Sequence, residues 1–231
     1  MATRLVLAEL ADGFQKNQKN QKGHGFQLTI ESVGGVDATK RVQAGEAFDF
    51  VILASDAIDK LIATGHVLAG SKADLMRSGV AVAVRAGAEV PDISTPEALR
   101  ESVRAARNIS YSTGPSGVAL ARLFEQWGIA DDIKQRIVQA PPGVPVGSLV
   151  ARGEVALGFQ QLSELMHIDG IAVVGPLPAA IQIITTFSAG LCTSSPHGEV
   201  ARATTLSFLA YMNSADAIKP KRAQGMQPME D

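Results

Sequence analysis

Apolar segments with the spacing of β-strands alternate along this chain with segments whose apolar residues recur at helical spacing. Residues 48–54 form a nearly continuous apolar run, which is typical of a strand covered on both faces. The next segment, residues 56–64, carries Ile58 and Leu61 on one side of a predicted helix, and Ser55 precedes it as a plausible cap. Strands that alternate with helices in this way predict an α/β fold of parallel sheets flanked by helices.

The same alternation continues along the rest of the chain. Thr95 followed by Pro96 is a strong helix entry, because threonine caps a helix start and proline fits the first turn. Further strands are predicted at residues 26–30, 79–85, 108–112, 136–139, 155–160, 171–174 and 181–186. Further helices are predicted at residues 5–14, 37–45, 116–127, 145–152, 199–212 and 215–224.

The amino-acid composition excludes several classes of function for this protein. The 231 residues, 46% of them apolar, supply one large domain or two lobes of roughly 100 residues. Lys and Arg number 21 against 23 Asp and Glu, and no segment gathers the positive charge that a nucleic-acid partner needs. No apolar stretch approaches the roughly 20 residues that span a bilayer. The single cysteine, Cys192, excludes an internal disulfide, and four dispersed histidines predict no metal site and no cofactor.

Four loops between a predicted strand and the next helix are rich in small or helix-capping residues. A helix start offers unpaired backbone N–H groups and the positive end of the helix dipole, so several starts together hold an anion without Lys or Arg. Ligands of open α/β sheets bind at such loops. Taken singly, each loop also fits an ordinary turn or cap. The loops span residues 34–36, 54–56, 112–117 and 143–148, and the third is the strongest candidate because Ser, Thr and Gly dominate it.

Catalytic signals are weak in comparison. The sequence has no His-Glu-x-x-His segment, no phosphate loop ending in Gly-Lys-Ser/Thr and no Gly-x-Ser-x-Gly elbow. Two carboxylates, Glu164 and Asp56, stand just beyond predicted strand ends, where either could accept a proton from a bound ligand. The alternative is that both are charges that favour a helix start.

Several segments, taken in order, resemble the molybdate-binding branch (type II) of the periplasmic solute-binding proteins. The resemblance is carried by residues 34–52, 109–129, 150–165, 174–178 and 223–228. It implies an α/β fold of two lobes, each a mostly parallel sheet flanked by helices, joined by two crossing strands with the ligand cleft between the lobes.

The same resemblance implies where the lobes divide. The crossings are expected near residues 79–85 and 183–190. Residues 1–81 and 188–231 are then expected to form a discontinuous first lobe, and residues 82–187 the second.

The ligand contacts that the resemblance implies fall on helix starts and strand ends. Carried over by position, they are Ala2, Gly35 or Val36, Ser116, Pro145 or Val146, and Gln161. Neighbouring candidates are Thr3, Ser55, Ser112, Gly117 and Gln160. The family pattern has serines around the first two of these positions and a tyrosine at the last, so this chain offers fewer hydroxyl donors to a tetrahedral oxyanion.

Two functions follow from the resemblance. The first is a solute-binding protein of an ABC importer that captures a small anion, either a molybdate-like oxyanion or a small organic carboxylate. It would act as a periplasmic monomer with a membrane permease as partner. The second is an isomerase of a tricarboxylate, similar to aconitate isomerase, acting in the same cleft with Glu164 or Asp56 as base.

The start of the chain also differs from the family pattern. In the family, a signal peptide and an apolar first strand precede the segment that begins here at Met1. We therefore expect the first lobe to lack that strand and the ligand site near Ala2 to be incompletely built.

Overall fold

The computed structural model describes residues 2–22, 27–141 and 143–229, and divides into two compact units. One unit comprises Met1–Arg77 and Thr186–Asp231, and the other comprises Ser78–Thr185. The chain passes from one unit to the other inside two strands, β2 (Ala73–Arg85) and β6 (Ile184–Leu191). The lobe limits expected from the sequence, after residues 81 and 187, fall inside the same two strands.

In its described residues, the first unit combines five α-helices with a small antiparallel arrangement of strands. In β1, Phe50 pairs with Leu191 and Ala54 with Phe187 of β6. Met76 of β2 pairs with Pro228 of β7. The elements are α1 (Arg4–Lys22), α2 (Gly35–Gln43), β1 (Phe50–Ala54), α3 (Ser55–Ala63), α9 (Gly198–Met212), a 3₁₀ turn (Ala215–Ala217), α10 (Ile218–Ala223) and β7 (Gln227–Pro228).

The core of the first unit lies between α1, α9 and the strands. Val6, Leu10 and Phe14 recur at helical spacing on α1 and are buried, as the sequence predicts. The Phe14 ring packs against Phe208 of α9 with ring centroids 5.3 Å apart. A second cluster, which includes Ile58 of α3, covers the outer strand β1.

The second unit is a mixed sheet with helices on both faces. Its strands follow the order β3, β4, β2, β5, in which β3 and β4 are parallel and the other two pairings are antiparallel. The elements are α4 (Pro96–Ala105), β3 (Ile109–Tyr111), α5 (Pro115–Gln126), α6 (Ala130–Ile133), a 3₁₀ turn (Lys134–Arg136), α7 (Val146–Ala151), β4 (Leu157–Gln161), α8 (Leu162–Leu165), β5 (Ile171–Pro176) and a 3₁₀ turn (Ala179–Ile181).

The two faces of this sheet are distinguished by the residues they present. Tyr111 and Phe159 are register partners, and both rings pack against Phe124 of α5. Gly158 presents the opposite face, where an added Cβ would meet Val146 and the close-packed Val150 of α7. Because strand residues alternate between faces, Ser110 and Gln160 lie on the α7 face with Gly158.

The helix entry predicted at Thr95 is confirmed. The Thr95 hydroxyl accepts a hydrogen bond from the Ala98 amide at 3.1 Å, and Pro96 occupies the first helical turn. The α/β character of the fold is confirmed as well.

Three predictions about strands need correction. Mostly parallel sheets were expected, but of the strand pairs with a described register only β3 and β4 are parallel, whereas β1 pairs antiparallel with β6 and β2 pairs antiparallel with β4, β5 and β7. Residues 136–139 form no strand; Ile137 makes a single bridge to Ile109 after a 3₁₀ turn. Residues 27–30 form no strand, although the partly buried Leu28 and Ile30 pack against the core of the first unit. Phe26, predicted in the same strand, lies outside the described residues.

None of the helices in the described parts of the chain is both long enough and apolar enough to cross a membrane.

Candidate functional site

The candidate site of the second unit lies at one edge of its sheet. Ile109 pairs with Leu157 and Tyr111 with Phe159 in parallel register, so β3 and β4 end at the same edge. Ser112 follows the end of β3, and Gln160 and Gln161 end β4. Small-molecule ligands of α/β sheets bind at this carboxyl edge.

The loop that follows β3 folds tightly onto the start of α5. The Ser112 and Ser116 hydroxyls are 3.1 Å apart, and Ser116 is only 6% exposed. Gly117 lies so close to the backbone of Ser112 that an added Cβ would overlap the Ser112 carbonyl oxygen. Gly114 occupies the cap position and supplies no side-chain acceptor, so side chains leave the first N–H groups of α5 uncapped.

Gln160 connects this edge to the start of α7. Its Oε1 atom accepts a hydrogen bond from the Gly147 amide at 3.3 Å, and its side chain is buried. Pro145 occupies the cap position of α7, and Val146 begins the helix as part of a buried apolar cluster. The predicted residues Pro145 and Val146 therefore shape the edge through backbone and packing, while Gln160 supplies the polar side chain.

Gln161 lies on the other face of the sheet from Gln160. Its Nε2 atom donates to the Thr185 hydroxyl at 2.7 Å, while its Oε1 atom is buried with no hydrogen-bond partner. The Ser163 hydroxyl, two residues further along in α8, is buried and unpartnered as well. So is the hydroxyl of Ser78, which lies on β2 two residues before Val80, the register partner of Gln161.

Glu164 is the one carboxylate among these residues of the second unit. It lies in the first turn of α8 and is half-buried. Burial raises the pKa of Glu164 above its ordinary value. A hydrogen bond with the Gln160 side chain lowers this pKa, but by less than burial raises it. A carboxylate whose pKa is raised toward neutrality is suited to accept and return a proton.

The remaining predicted residues lie in the first unit, also at helix starts. Ala2 packs against the core, and the Thr3 carbonyl accepts the first backbone hydrogen bond of α1 from Leu7. Gly35 begins α2 after Gly34, and Val36 is 60% exposed. Met1 lies outside the described residues.

The prediction that Ser55 caps α3 is wrong. Strand β1 runs directly into the helix, so Ala54 occupies the cap position with extended backbone angles and Ser55 is already the first helical residue. Its neighbour Asp56 is exposed and lies 3.6 Å from Lys60, one helical turn further along. The features that suit a base are therefore found at Glu164 rather than at Asp56.

Sequence reasoning missed three polar residues that the fold brings to this edge, namely Ser78, Ser163 and Thr185. Such hydroxyl residues carry no distinctive spacing in the sequence, and only the three-dimensional contacts of the fold reveal them. Within the described residues, no three His, Cys, Asp or Glu side chains are placed to hold a metal ion. Cys192 is buried, and burial with the nearby Asp49 charge raises its thiol pKa to about 12, so it packs as an apolar residue.

Comparison with known proteins gives consistent results over almost the whole chain. A family model described as bacterial extracellular solute-binding protein matches residues 1–227. A curated protein from Pseudomonas sp., named aconitate isomerase, is 37% identical over 214 residues, which cover 90% of this chain and 80% of that protein.

Solved structures show the same fold. The periplasmic molybdate-binding protein of Azotobacter vinelandii superposes with a TM-score of 0.76 at 21% identity, covering 99% of this chain and 96% of the other. The substrate-binding domain of a molybdenum ABC transporter from Clostridium difficile gives a TM-score of 0.74 at 16% identity, with the same coverage.

Proposed function

Because this chain belongs to the family of bacterial extracellular solute-binding proteins, we propose that it binds a small organic carboxylate. The observation that carries the proposal is the set of uncharged hydrogen-bonding side chains at the carboxyl edge of the second unit's sheet, of which four are buried and one, Ser112, is half-buried. The set contains no Lys or Arg and consists of Ser112, Ser116, Gln160, Gln161 and Ser163.

Hydroxyl and amide donors suit a carboxylate ligand. A bound anion accepts hydrogen bonds from such groups, and those bonds are stronger than bonds between neutral partners. The start of the 12-residue helix α5 adds backbone N–H groups and the positive end of its dipole beside Ser116. An anion is thereby stabilised without a buried counter-charge.

An organic carboxylate is favoured over a tetrahedral oxyanion for two reasons. The hydroxyl donors of the family pattern are replaced by Ala2, by Gly35 or Val36, and by Gln161, which removes donors from a small oxyanion cage. The relative named aconitate isomerase is 37% identical, whereas the molybdate-binding neighbour at 21% identity supports only the fold.

A panel of anions tests this function. Thermal unfolding is followed with citrate, trans-aconitate, sulfate and molybdate at millimolar concentration, because a ligand of the native state raises the melting temperature. We expect a rise with the carboxylates. Ser116→Ala should reduce it, while Ser207→Ala, on an exposed face of α9, serves as the matched control. A well-folded protein whose melting temperature no carboxylate changes would refute the proposal.

The wider role follows from the family rather than from the site. We propose that the protein acts outside the cytoplasmic membrane, in the periplasm, as a monomer that delivers its ligand to the permease of an ABC importer.

A second candidate function is isomerisation of a tricarboxylate. It is favoured by Glu164, the half-buried carboxylate beside Gln160, and by the similarity to the protein named aconitate isomerase. In such a reaction the base takes a proton from the carbon next to the C=C bond. The electron pair left behind forms a new C=C bond one carbon along, and the proton is returned to the carbon at the far end of the original C=C bond. Uncharged donors at the same edge would stabilise the charge that develops on the ligand carboxylate.

Glu164→Gln separates the two functions. The amide retains the size and polarity of the side chain but cannot take a proton. An isomerase loses turnover of aconitate, followed by its absorbance, while ligand binding persists. A wild-type protein that binds aconitate without converting it is a binding protein only.

A further inference from the structure

We infer that Thr185 sets the direction of the Gln161 carboxamide, so that this amide and the Ser163 hydroxyl together bind one carboxylate group of the ligand. The inference rests on the proposed carboxylate function and identifies the residues that bind one carboxylate group of that ligand. Neither Thr185 nor Ser163 belongs to the contacts implied by the family resemblance.

One end of the Gln161 side chain is hydrogen-bonded and the other is not. The side chain is only 5% exposed, its Nε2 atom donates to the Thr185 hydroxyl at 2.7 Å, and its Oε1 atom has no partner. A buried acceptor without a hydrogen bond destabilises the site, so an arrangement that pairs this end of the amide is favoured.

Two neighbouring serine hydroxyls are also buried without a hydrogen-bond partner. Ser163 is 7% exposed with its Oγ atom unpartnered, and it follows Gln161 by two residues at the start of α8. Ser78, fully buried and unpartnered, lies on the adjacent strand β2. A serine hydroxyl donates or accepts as its partner requires, so both are compatible with an anion.

The Thr185 hydroxyl can pair with either end of the Gln161 amide. In this structure the amide donates to Thr185 and presents an oxygen, which repels a carboxylate. A half-turn of the amide reverses this: the Thr185 hydroxyl donates to Oε1, and Nε2 becomes free to donate to the ligand. Threonine supports both directions because its hydroxyl is both donor and acceptor, so Thr185 is a positioning residue for carboxylate recognition.

Thr185→Val tests this role, because valine keeps the shape of threonine and lacks the hydroxyl. Binding of citrate and trans-aconitate is measured by calorimetry on the full chain. We expect the affinity to fall about tenfold, because the buried Gln161 Oε1 atom then has no hydroxyl to pair with when Nε2 donates to the ligand. Thr185→Ser restores the hydroxyl and should bind within a few-fold of the wild type.

Three further measurements test the mechanism itself. Nuclear magnetic resonance of the Gln161 side-chain amide should show a large shift of its Nε2 protons when citrate binds to the wild type. Gln161→Glu places a fixed negative acceptor at the same position and should abolish carboxylate binding. Ser163→Ala should weaken it about tenfold.

The outcomes separate this inference from the proposed function. If the wild type binds no carboxylate, both are wrong. If the wild type binds citrate or trans-aconitate and Thr185→Val binds equally well with an unchanged melting temperature, only the role of Thr185 is wrong. If Thr185→Val does not fold, an unshifted Gln161 amide in the saturated wild type, or full binding by Gln161→Glu, overturns the inference.

Discussion

The backbone carbonyl of Ser112 lies directly against Gly117, so a Cβ atom at residue 117 would overlap the carbonyl oxygen and lie 2.6 Å from the carbonyl carbon. This contact fixes the loop that places the Ser112 and Ser116 hydroxyls 3.1 Å apart. The absence of a side chain at Gly117 is therefore a requirement of the site's geometry.

Gly117→Ala should weaken both the fold and ligand binding. The added methyl group meets backbone atoms, which cannot rotate away, so the loop from Ser112 to Ser116 has to move. We expect the free energy of unfolding to fall by about 1–3 kcal/mol, measured by chemical denaturation, and carboxylate affinity to fall with it. Gly114→Ala is the matched control, because its nearest atom is the Ser112 hydroxyl oxygen at 4.0 Å. If the two substitutions lowered the unfolding free energy and the carboxylate affinity equally, the close contact at Gly117 would not be what fixes this loop.

Thr95→Ala should destabilise the second unit without changing ligand binding. It removes the hydroxyl that accepts the Ala98 amide at the start of α4, a cap that contributes about 1 kcal/mol. Thr95→Ser retains the acceptor and should keep most of the stability. A loss of carboxylate affinity in Thr95→Ala at a temperature where the variant is folded would contradict a purely structural role.

Lys221 should make the stability of the protein depend on alkaline pH. Its ammonium group is buried and donates to the Leu75 carbonyl at 2.6 Å, and burial lowers its pKa from 10.5 to about 8. Between these values the folded protein binds fewer protons than the unfolded chain, so the Lys221 contribution to stability increases as pH rises.

Comparison with Lys221→Met isolates this contribution. The difference in unfolding free energy, wild type minus variant, should rise from pH 8 toward pH 10.5 by at most about 1.4 kcal/mol per pH unit. Lys219→Met, on the same helix, serves as a control for loss of one positive charge. A difference that does not change with pH would show that Lys221 has an ordinary pKa in the folded protein.

Glu164 should set the acid limit of any isomerase activity. Burial raises the pKa of Glu164, and a base works only when deprotonated, so turnover should fall at a higher pH than for an ordinary glutamate. Glu164→Asp should retain some activity with a shifted pH profile, whereas Glu164→Gln should retain none. An activity that survives in Glu164→Gln would assign the proton transfer to another group.

Much of the fold was predictable because it depends on local patterns. The cap at Thr95, the buried face of α1 and the strand that ends at Ala54 follow from residue spacing alone. The cap at Ser55 failed because the strand enters the helix without an intervening residue, and only backbone angles reveal that. The antiparallel path of β2 could not be predicted either, because strand direction is set by distant partners.

The candidate site was predictable only in part, for the same reason. Ser112, Ser116 and Gln160 stand at strand ends and helix starts, which sequence patterns identify. The hydrogen bond between Gln161 and Thr185 joins residues 24 positions apart, and nothing near Thr185 in the sequence indicates it.

A calorimetric titration of the full chain with trans-aconitate, citrate and molybdate tests the proposed carboxylate binding most directly. We expect saturable binding of a carboxylate to a single site, with affinity reduced in Ser116→Ala and in Thr185→Val and retained in Thr185→Ser. Saturable binding of molybdate together with no binding of either carboxylate would contradict it.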